Sequence, residues 1–176
     1  TTNITIDAKA TLPEPSFTFV SANTEGNLSF GADNGMSTYI YIDWGNGELV
    51  RGLVDANEMI NNTTTSYIAN NTVKVYARGD VYMLDLKNQK VTALDVSKLT
   101  KLDYLNCSDN RLTTLDVSNN PELWALNCSY NKLEALDLSQ NTLLEELNCS
   151  DNGLSTLSLS RNTALKDLNF SGNSIS

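Results

Sequence analysis

Hydrophobic positions follow two different patterns along this chain. Before about residue 70, short runs of β-branched and aromatic residues alternate with polar and glycine-rich segments, which is typical of antiparallel strands joined by tight turns. From residue 91 onward, apolar residues recur at fixed positions in four rows of 21 residues, at 91–111, 112–132, 133–153 and 154–174. The change of pattern predicts two structurally different parts.

Each row carries leucines, a cysteine or phenylalanine, and an asparagine at constant spacing. The first row contains Leu102, Leu105, Cys107, Asn110 and Leu112 in the order Leu-x-x-Leu-x-Cys-x-x-Asn-x-Leu. A period in the twenties with fixed leucines is typical of a leucine-rich-repeat solenoid. Alternating positions of a strand point to the same face, so the Leu-x-Cys pair is predicted to face the inside of the coil. A period this short leaves no room for a full helix on the opposite wall, where we expect extended or 3₁₀ segments.

The repeat can be projected backwards to locate its beginning. Subtracting one period from Leu105 and Cys107 gives Leu84 and Leu86, and the same step places Val73 and Val75 in the first half of a coil. We therefore predict a mainly β protein in which a small antiparallel β-sandwich (residues 1–70) is fused to a right-handed solenoid with parallel strands (71–176). The solenoid would comprise a half repeat at 71–90 and four full repeats at 91–174, and the two parts would share a continuous core.

Two columns of the repeat are predicted to have structural roles. The asparagines are expected to bond the otherwise unpaired backbone of neighbouring coils, as buried polar groups require. The cysteines are interpreted as small apolar core residues, since Phe170 occupies the same column, and the alternative is a redox or three-thiolate zinc site. The predicted ladder residues are Cys107, Cys128, Cys149, Asn110, Asn131, Asn152 and Asn173.

Side chains on the outer face of the repeat strands are the candidate ligand-binding residues. Exposed aromatic residues on a rigid sheet often dominate binding energy, and Trp124 is the candidate anchor. The asparagine column on this face has two interpretations: the amides bond one another, or they bind a polar ligand. The candidate residues are Tyr82, Asp103, Tyr104, Asn106, Trp124, Asn127, Tyr130, Glu145, Glu146, Asn148 and Asn169.

Charge and composition narrow the function. The net charge of −9 and the pI near 4.3 argue against nucleic acid and anionic membranes. The sequence contains no histidine, which removes the commonest general acid–base group and metal ligand. Acidic residues spread over one smooth sheet are usually a solvated face, so we expect no catalytic residue, no metal and no cofactor. No apolar run is long enough to span a bilayer.

The rows resemble the short cysteine-bearing repeats of internalin-type surface proteins. They are also similar to repeat proteins of Bacteroides-type gut bacteria, in which a β-domain with an IDWGDG-like hairpin precedes such rows. This chain has Ile42-Asp43-Trp44-Gly45-Asn46-Gly47, with Asn46 in place of the acid, and the hairpin is also similar to polycystic-kidney-disease (PKD)-like sandwich domains. The resemblance implies export to the cell surface, often on a lipid anchor, and binding or adhesion without chemistry.

The sequence therefore favours a non-enzymatic bacterial cell-surface recognition or adhesion protein that binds a protein or glycan through the repeat sheet. The alternatives are a structural spacer or assembly module of a larger surface protein, and a carbohydrate-binding accessory protein. Because the chain begins at Thr1 without a signal peptide, we expect an extracellular or surface-anchored protein whose signal peptide has been removed, with any lipid anchor upstream of residue 1. Only Ile175 and Ser176 follow the last row, so a homodimer through an open C-terminal edge is a further expectation.

Overall fold

The computed structural model describes residues 14–21, 25–26, 29–32, 38–43, 49–54, 65–66, 72–77 and 80–175. This part of the chain is mainly β and contains no helix. Its strands, in chain order, are β1 (Phe17–Ser21), β2 (Glu25–Gly26), β3 (Ser29–Ala32), β4 (Thr38–Asp43), β5 (Leu49–Val54), β6 (Thr65–Ser66), β7 (Thr72–Ala77), β8 (Val81–Asp85), β9 (Val91–Asp95), β10 (Tyr104–Asn106), β11 (Ala125–Asn127), β12 (Glu146–Asn148) and β13 (Asp167–Asn169). The predicted strand near residues 4–6 lies outside the described residues.

The repeats form a parallel sheet with one strand per coil. Its order is β13-β12-β11-β10-β8-β3, and each parallel pair is in register by one 21-residue period, with Leu84 opposite Leu105 and Leu105 opposite Leu126. β3 pairs antiparallel with β8 along the edge of β8 that faces away from β10, with Phe30 opposite Leu84. The N-terminal edge of the parallel sheet is therefore already occupied.

A second sheet joins the N-terminal region to the first repeat. Its order is β5-β4-β7-β1-β9, and every neighbouring pair in it is antiparallel. Phe19 of β1 lies opposite Val73 of β7 on one side and opposite Leu94 of β9 on the other. The backward projection places β7 one coil before β9, and the structure inserts β1 between them. Each large sheet thus contains strands from both sides of residue 70, while the domain boundary itself and the sandwich architecture stay predictions.

One cluster of buried side chains fills the inside of both regions. It runs from Phe17 and Phe19 through Val75 and the inward leucines of the coils to Leu154. On the wall opposite the parallel sheet it is closed by Val96, Val117 and Leu138, which lie where the chain returns without a helix. Because these residues belong to one cluster, the first coil packs on the N-terminal strands without an intervening polar layer.

The inward asparagines bond each coil to the one before it. The Nδ2 group of Asn131 donates to the carbonyl oxygens of Cys107, Cys128 and Ser129 at 2.9, 3.1 and 3.2 Å, and its Oδ1 accepts from the backbone N–H of Leu112 at 2.9 Å. Equivalent bonds are made by Asn110, Asn152 and Asn173. One amide therefore satisfies backbone groups at the turn where no strand pairing is available.

A second asparagine column lies on the return wall. Asn120 donates to the carbonyl oxygens of Val96 and Leu99 at 3.0 and 2.8 Å, and Asn141 and Asn162 repeat this arrangement one and two periods later. All three are buried. This column is not among the structural columns predicted from the sequence, although its 21-residue spacing is visible in the rows. Each coil is thus hydrogen-bonded to the preceding coil at two places, the turn that follows the parallel strand and the return wall.

The cysteines lie stacked in the core and are all free thiols. Burial raises the pKa of the Cys107 thiol from its ordinary value of 9.0 to about 12, and that of Cys149 to about 11. Burial is the main cause that raises the pKa of the Cys128 thiol, and the two neighbouring thiols raise it further. Thiols with a raised pKa stay protonated at neutral pH. They are therefore poor nucleophiles and poor metal ligands, because both roles need the thiolate.

Replacing Asn131 with aspartate should destabilise the fold. The substituted carboxylate keeps the acceptor but loses three donated bonds and faces carbonyl oxygens, so we expect a loss of about 2–4 kcal/mol in the free energy of unfolding. Urea denaturation at neutral pH measures this change. The matched control is Asn119→Asp at an exposed position of the same coil, which should change stability by less than about 0.5 kcal/mol. Equal effects of the two substitutions would contradict the proposed role of the ladder.

Alkaline pH should weaken the fold through the thiols. The pKa of each thiol is raised in the folded state. The contribution of the protonated thiols to the free energy of unfolding is therefore complete below about pH 9 and is lost as pH rises toward 12. We expect the wild type to lose more stability between pH 8 and pH 10.5 than the triple variant Cys107→Ala/Cys128→Ala/Cys149→Ala, even though the variant is less stable at pH 8. Tyrosine and lysine titrate in both proteins, so the difference isolates the thiols. Parallel pH profiles would contradict this assignment.

Candidate ligand-binding face

The outer face of the parallel sheet presents two columns of side chains in register. Met83, Tyr104, Ala125, Glu146 and Asp167 lie side by side at the first outward position of successive strands. The second outward column contains Asp85, Asn106, Asn127, Asn148 and Asn169. Strands in a sheet are spaced by about 4.8 Å, so equivalent groups recur at that interval along the face.

Two aromatic residues form the apolar part of this face. The rings of Tyr104 and Trp124 have centroids 6.4 Å apart and planes inclined by 51°, an arrangement favoured by aromatic pairs. Trp124 is 40% exposed although it is among the largest apolar side chains in the molecule. The two rings already pack on each other in the free protein. Their apolar surface therefore does not have to become ordered when a ligand binds.

The outward asparagines use their two amide atoms differently. The Oδ1 of Asn127 accepts from both the backbone N–H and the hydroxyl of Ser129, at 3.1 and 2.7 Å, and Asn106, Asn148 and Asn169 each accept from the serine two residues later. Since a backbone N–H can only donate, these contacts fix which amide atom is the oxygen. The turns are thus closed by the oxygens, and the nitrogens are directed elsewhere.

Most of the outward amide nitrogens have no partner among the residues that the structure describes. The Nδ2 group of Asn106 donates to Asp85 at 3.1 Å, whereas the structure gives Asn127, Asn148 and Asn169 no Nδ2 partner within the described residues. The two interpretations of this column therefore apply to different atoms. The oxygens have a structural role, and three nitrogens form a row of unused hydrogen-bond donors.

A hollow of about 350 Å³ lies on this face. Ala125 contributes to its lining, and its small side chain is 3% exposed but does not belong to the interior cluster. We call this depression the Ala125 hollow. Its lining residues are Tyr104, Ala125, Leu126, Asn127, Glu146, Leu147, Asn148, Asp167 and Asn169.

The outer face of the sheet carries negative charge. Glu145 forms an ion pair with Lys166 of the next coil at 2.7 Å, but the carboxylates of Glu146 and Asp167 have no ion pair or hydrogen bond within the described residues. Burial raises the pKa of Tyr104, and the charges of Asp85 and Glu146 raise it further. Burial also raises the pKa of Asp103, opposed by a backbone hydrogen bond and reinforced by Glu122.

Tyr130 occupies a strained turn position beyond the end of β11. Its φ is +52°, and the equivalent positions in the other coils are Asn88, Asp109, Asp151 and Gly172, all with positive φ. Asparagine, aspartate and glycine tolerate this left-handed conformation, while a bulky side chain rarely adopts it. Tyr130 is nevertheless 58% exposed, so burial of the ring does not offset the backbone cost.

The predicted site residues occupy three kinds of position. Tyr82 and Tyr104 lie in strands, Asp103, Trp124 and Glu145 directly precede strands, and Tyr130 lies in a turn. Ala125 and Asp167 occupy outward strand positions, as the repeat spacing predicts, but neither they nor the serines that close the turns were among the candidate binding residues. The signal for the serines was present, because each asparagine is followed by Cys-Ser or Phe-Ser. Within the part of the chain that is described, no three acidic or cysteine side chains are grouped to hold a metal ion.

The register, the stacked cysteines and the asparagine ladder together define a solenoid of the leucine-rich-repeat type. A solved structure similar to this chain is described as the functional domain of InlJ from Listeria monocytogenes, which includes a cysteine ladder. The two are 34% identical with a TM-score of 0.55, and the alignment covers 63% of this chain and 24% of that one. The chain thus spans about a quarter of its neighbour's length.

No family model matches the sequence, and no curated protein matches it either. Of the described residues, none belong to a helix long and apolar enough to cross a membrane. The likeness to InlJ supports the repeat fold, whereas the resemblance of the N-terminal region to PKD-like and Bacteroides-type domains stays a prediction.

Proposed function

We propose that this protein is a non-enzymatic recognition module of the bacterial cell surface that binds a protein or glycan with the outer face of its repeat sheet. The observation that carries the proposal is the aromatic pair of Trp124 and Tyr104, which remains accessible on a sheet held rigid by cross-coil bonds. The internalin-like repeat fold supports a surface protein-binding role. Export and a lipid anchor upstream of residue 1 belong to the same proposal.

The strained backbone at Tyr130 gives independent support. A left-handed conformation at a residue other than glycine costs about 1–3 kcal/mol and is often retained at functional sites. The equivalent positions carry residues that tolerate it. We infer that the exposed ring of Tyr130 is kept for contact with the ligand.

The alternative role as a stacking spacer is less well supported. Head-to-tail stacking of copies needs two free edges, and β3 already occupies the β8 edge. The occupied β8 edge therefore argues against an open fibre of stacked copies.

Replacing Trp124 with alanine should abolish most of the binding. Wild type and variant would be compared on arrays of glycans and of candidate surface proteins, followed by affinity measurement for any ligand found. We expect affinity to fall by about 30-fold, the effect of losing a hot-spot residue. The control is Leu143→Ala, which removes another exposed apolar side chain outside the outward strand columns. Unchanged affinity in the Trp124 variant would contradict the proposal.

Replacing Tyr130 with asparagine should raise the stability of the fold and weaken ligand binding. Asparagine relieves the left-handed strain, so the free energy of unfolding should rise by about 0.5–1 kcal/mol, while affinity for the ligand falls. Thermal denaturation measures the first effect and titration the second. A variant that is more stable and binds as well as the wild type would remove Tyr130 from the site.

A further inference from the structure

The Ala125 hollow has walls of three different kinds. Tyr104, with Trp124 packed against it, forms an aromatic side, and Asn127 and Asn148 bring free amide donors to another. Glu146 and Asp167 form the acidic side. The hollow exists because this column has alanine between a tyrosine and a glutamate.

The acidic wall has no ion pair within the described residues. Oppositely charged residues one period apart do form ion pairs in other columns, as Lys101 does with Glu122 at 3.2 Å and Lys166 with Glu145 at 2.7 Å. Glu146 and Asp167 are also one period apart and directly opposite each other in the sheet. Like charges in that relation destabilise a sheet, and a cation placed between them would remove the repulsion.

We propose that the Ala125 hollow is a subsite for an arginine side chain projecting from a basic protein partner. The proposal rests on the proposed function, since it names the ligand chemistry of the same face. The planar guanidinium can donate to the carboxylates of Glu146 and Asp167, which are adjacent in the sheet, while the side-chain stem extends toward the ring of Tyr104 two strands before Glu146. The side-chain stem covers Ala125, and backbone carbonyl groups of the partner accept from the amides of Asn127 and Asn148.

The same observations favour arginine over the other candidates. A lysine ammonium can satisfy one carboxylate but has no planar fork of donors that reaches two adjacent acids. A neutral glycan can stack on the aromatic pair, but it leaves the repulsion between Glu146 and Asp167 unchanged. Only a cationic protein surface uses all three walls.

The test is titration of a hexa-arginine peptide into the whole chain at physiological salt, with a hexa-lysine peptide for comparison. Glu146→Gln/Asp167→Asn should weaken hexa-arginine binding about tenfold. The control Glu134→Gln/Asp137→Asn changes net charge equally at exposed positions outside the outward columns, and it should change binding by less than about twofold. Equal weakening by the two double variants would overturn the proposal, because it would show attraction to net charge alone.

A second pair of variants tests the shape of the hollow. Ala125→Leu fills it without altering any charge and should weaken hexa-arginine binding about fivefold, whereas Ala93→Leu adds the same side chain at an exposed position of β9 and should have no effect. Retained denaturation midpoints show that both variants are folded. Wild-type affinity in Ala125→Leu, or equal affinity for hexa-lysine and hexa-arginine, would overturn the assignment.

The two proposals fail in different ways. A ligand whose binding is lost in Trp124→Ala but kept in Glu146→Gln/Asp167→Asn would support the recognition face and overturn the arginine subsite. A ligand unaffected by Trp124→Ala would overturn the proposed function itself.

Discussion

The donation of an asparagine side-chain amide to backbone carbonyls of its own and the preceding coil is the interaction on which this structure depends. A 21-residue coil must turn sharply between its walls, and the turns leave carbonyl and N–H groups that no strand can pair. The NH2 group of Asn131 makes three donated contacts and its oxygen accepts one at such a turn, and Asn120 performs a similar task on the opposite wall. Apolar side chains alone could fill the coil but could not set its register.

Constant register explains the properties of the outer face. Because each coil is held at the same phase, identical positions stack directly, and any departure from the repeat becomes a local feature of the surface. Ala125 produces a hollow, Trp124 an apolar projection, and the pairing of Glu146 with Asp167 an unneutralised charge. The asparagines of this face have their oxygens fixed by the following serines, so the free donors of Asn127 and Asn148 are also held in fixed directions.

Much of the repeat region could be predicted because its interactions are periodic in the sequence. The alignment of Leu105 with Leu126 follows directly from the spacing, and the inward position of Cys107 follows from strand alternation. The insertion of β1 between β7 and β9 could not be foreseen, since antiparallel pairing over a long separation leaves no local pattern. The Ala125 hollow depends on the sizes of neighbouring side chains in adjacent coils, and the unequal roles of oxygen and nitrogen in Asn127 depend on turn geometry.

Asparagines in two columns of one repeat thus have different roles: the inward amides close the coil, and the outward amide nitrogens remain available for a ligand. Hydrogen exchange of the side-chain amide protons, followed residue by residue by NMR in the free protein, distinguishes these roles. We expect slow exchange for Asn110, Asn131 and Asn152, whose Nδ2 groups donate to backbone carbonyls, and fast exchange for Asn127 and Asn148. Comparable exchange rates in the two columns would contradict this difference in roles.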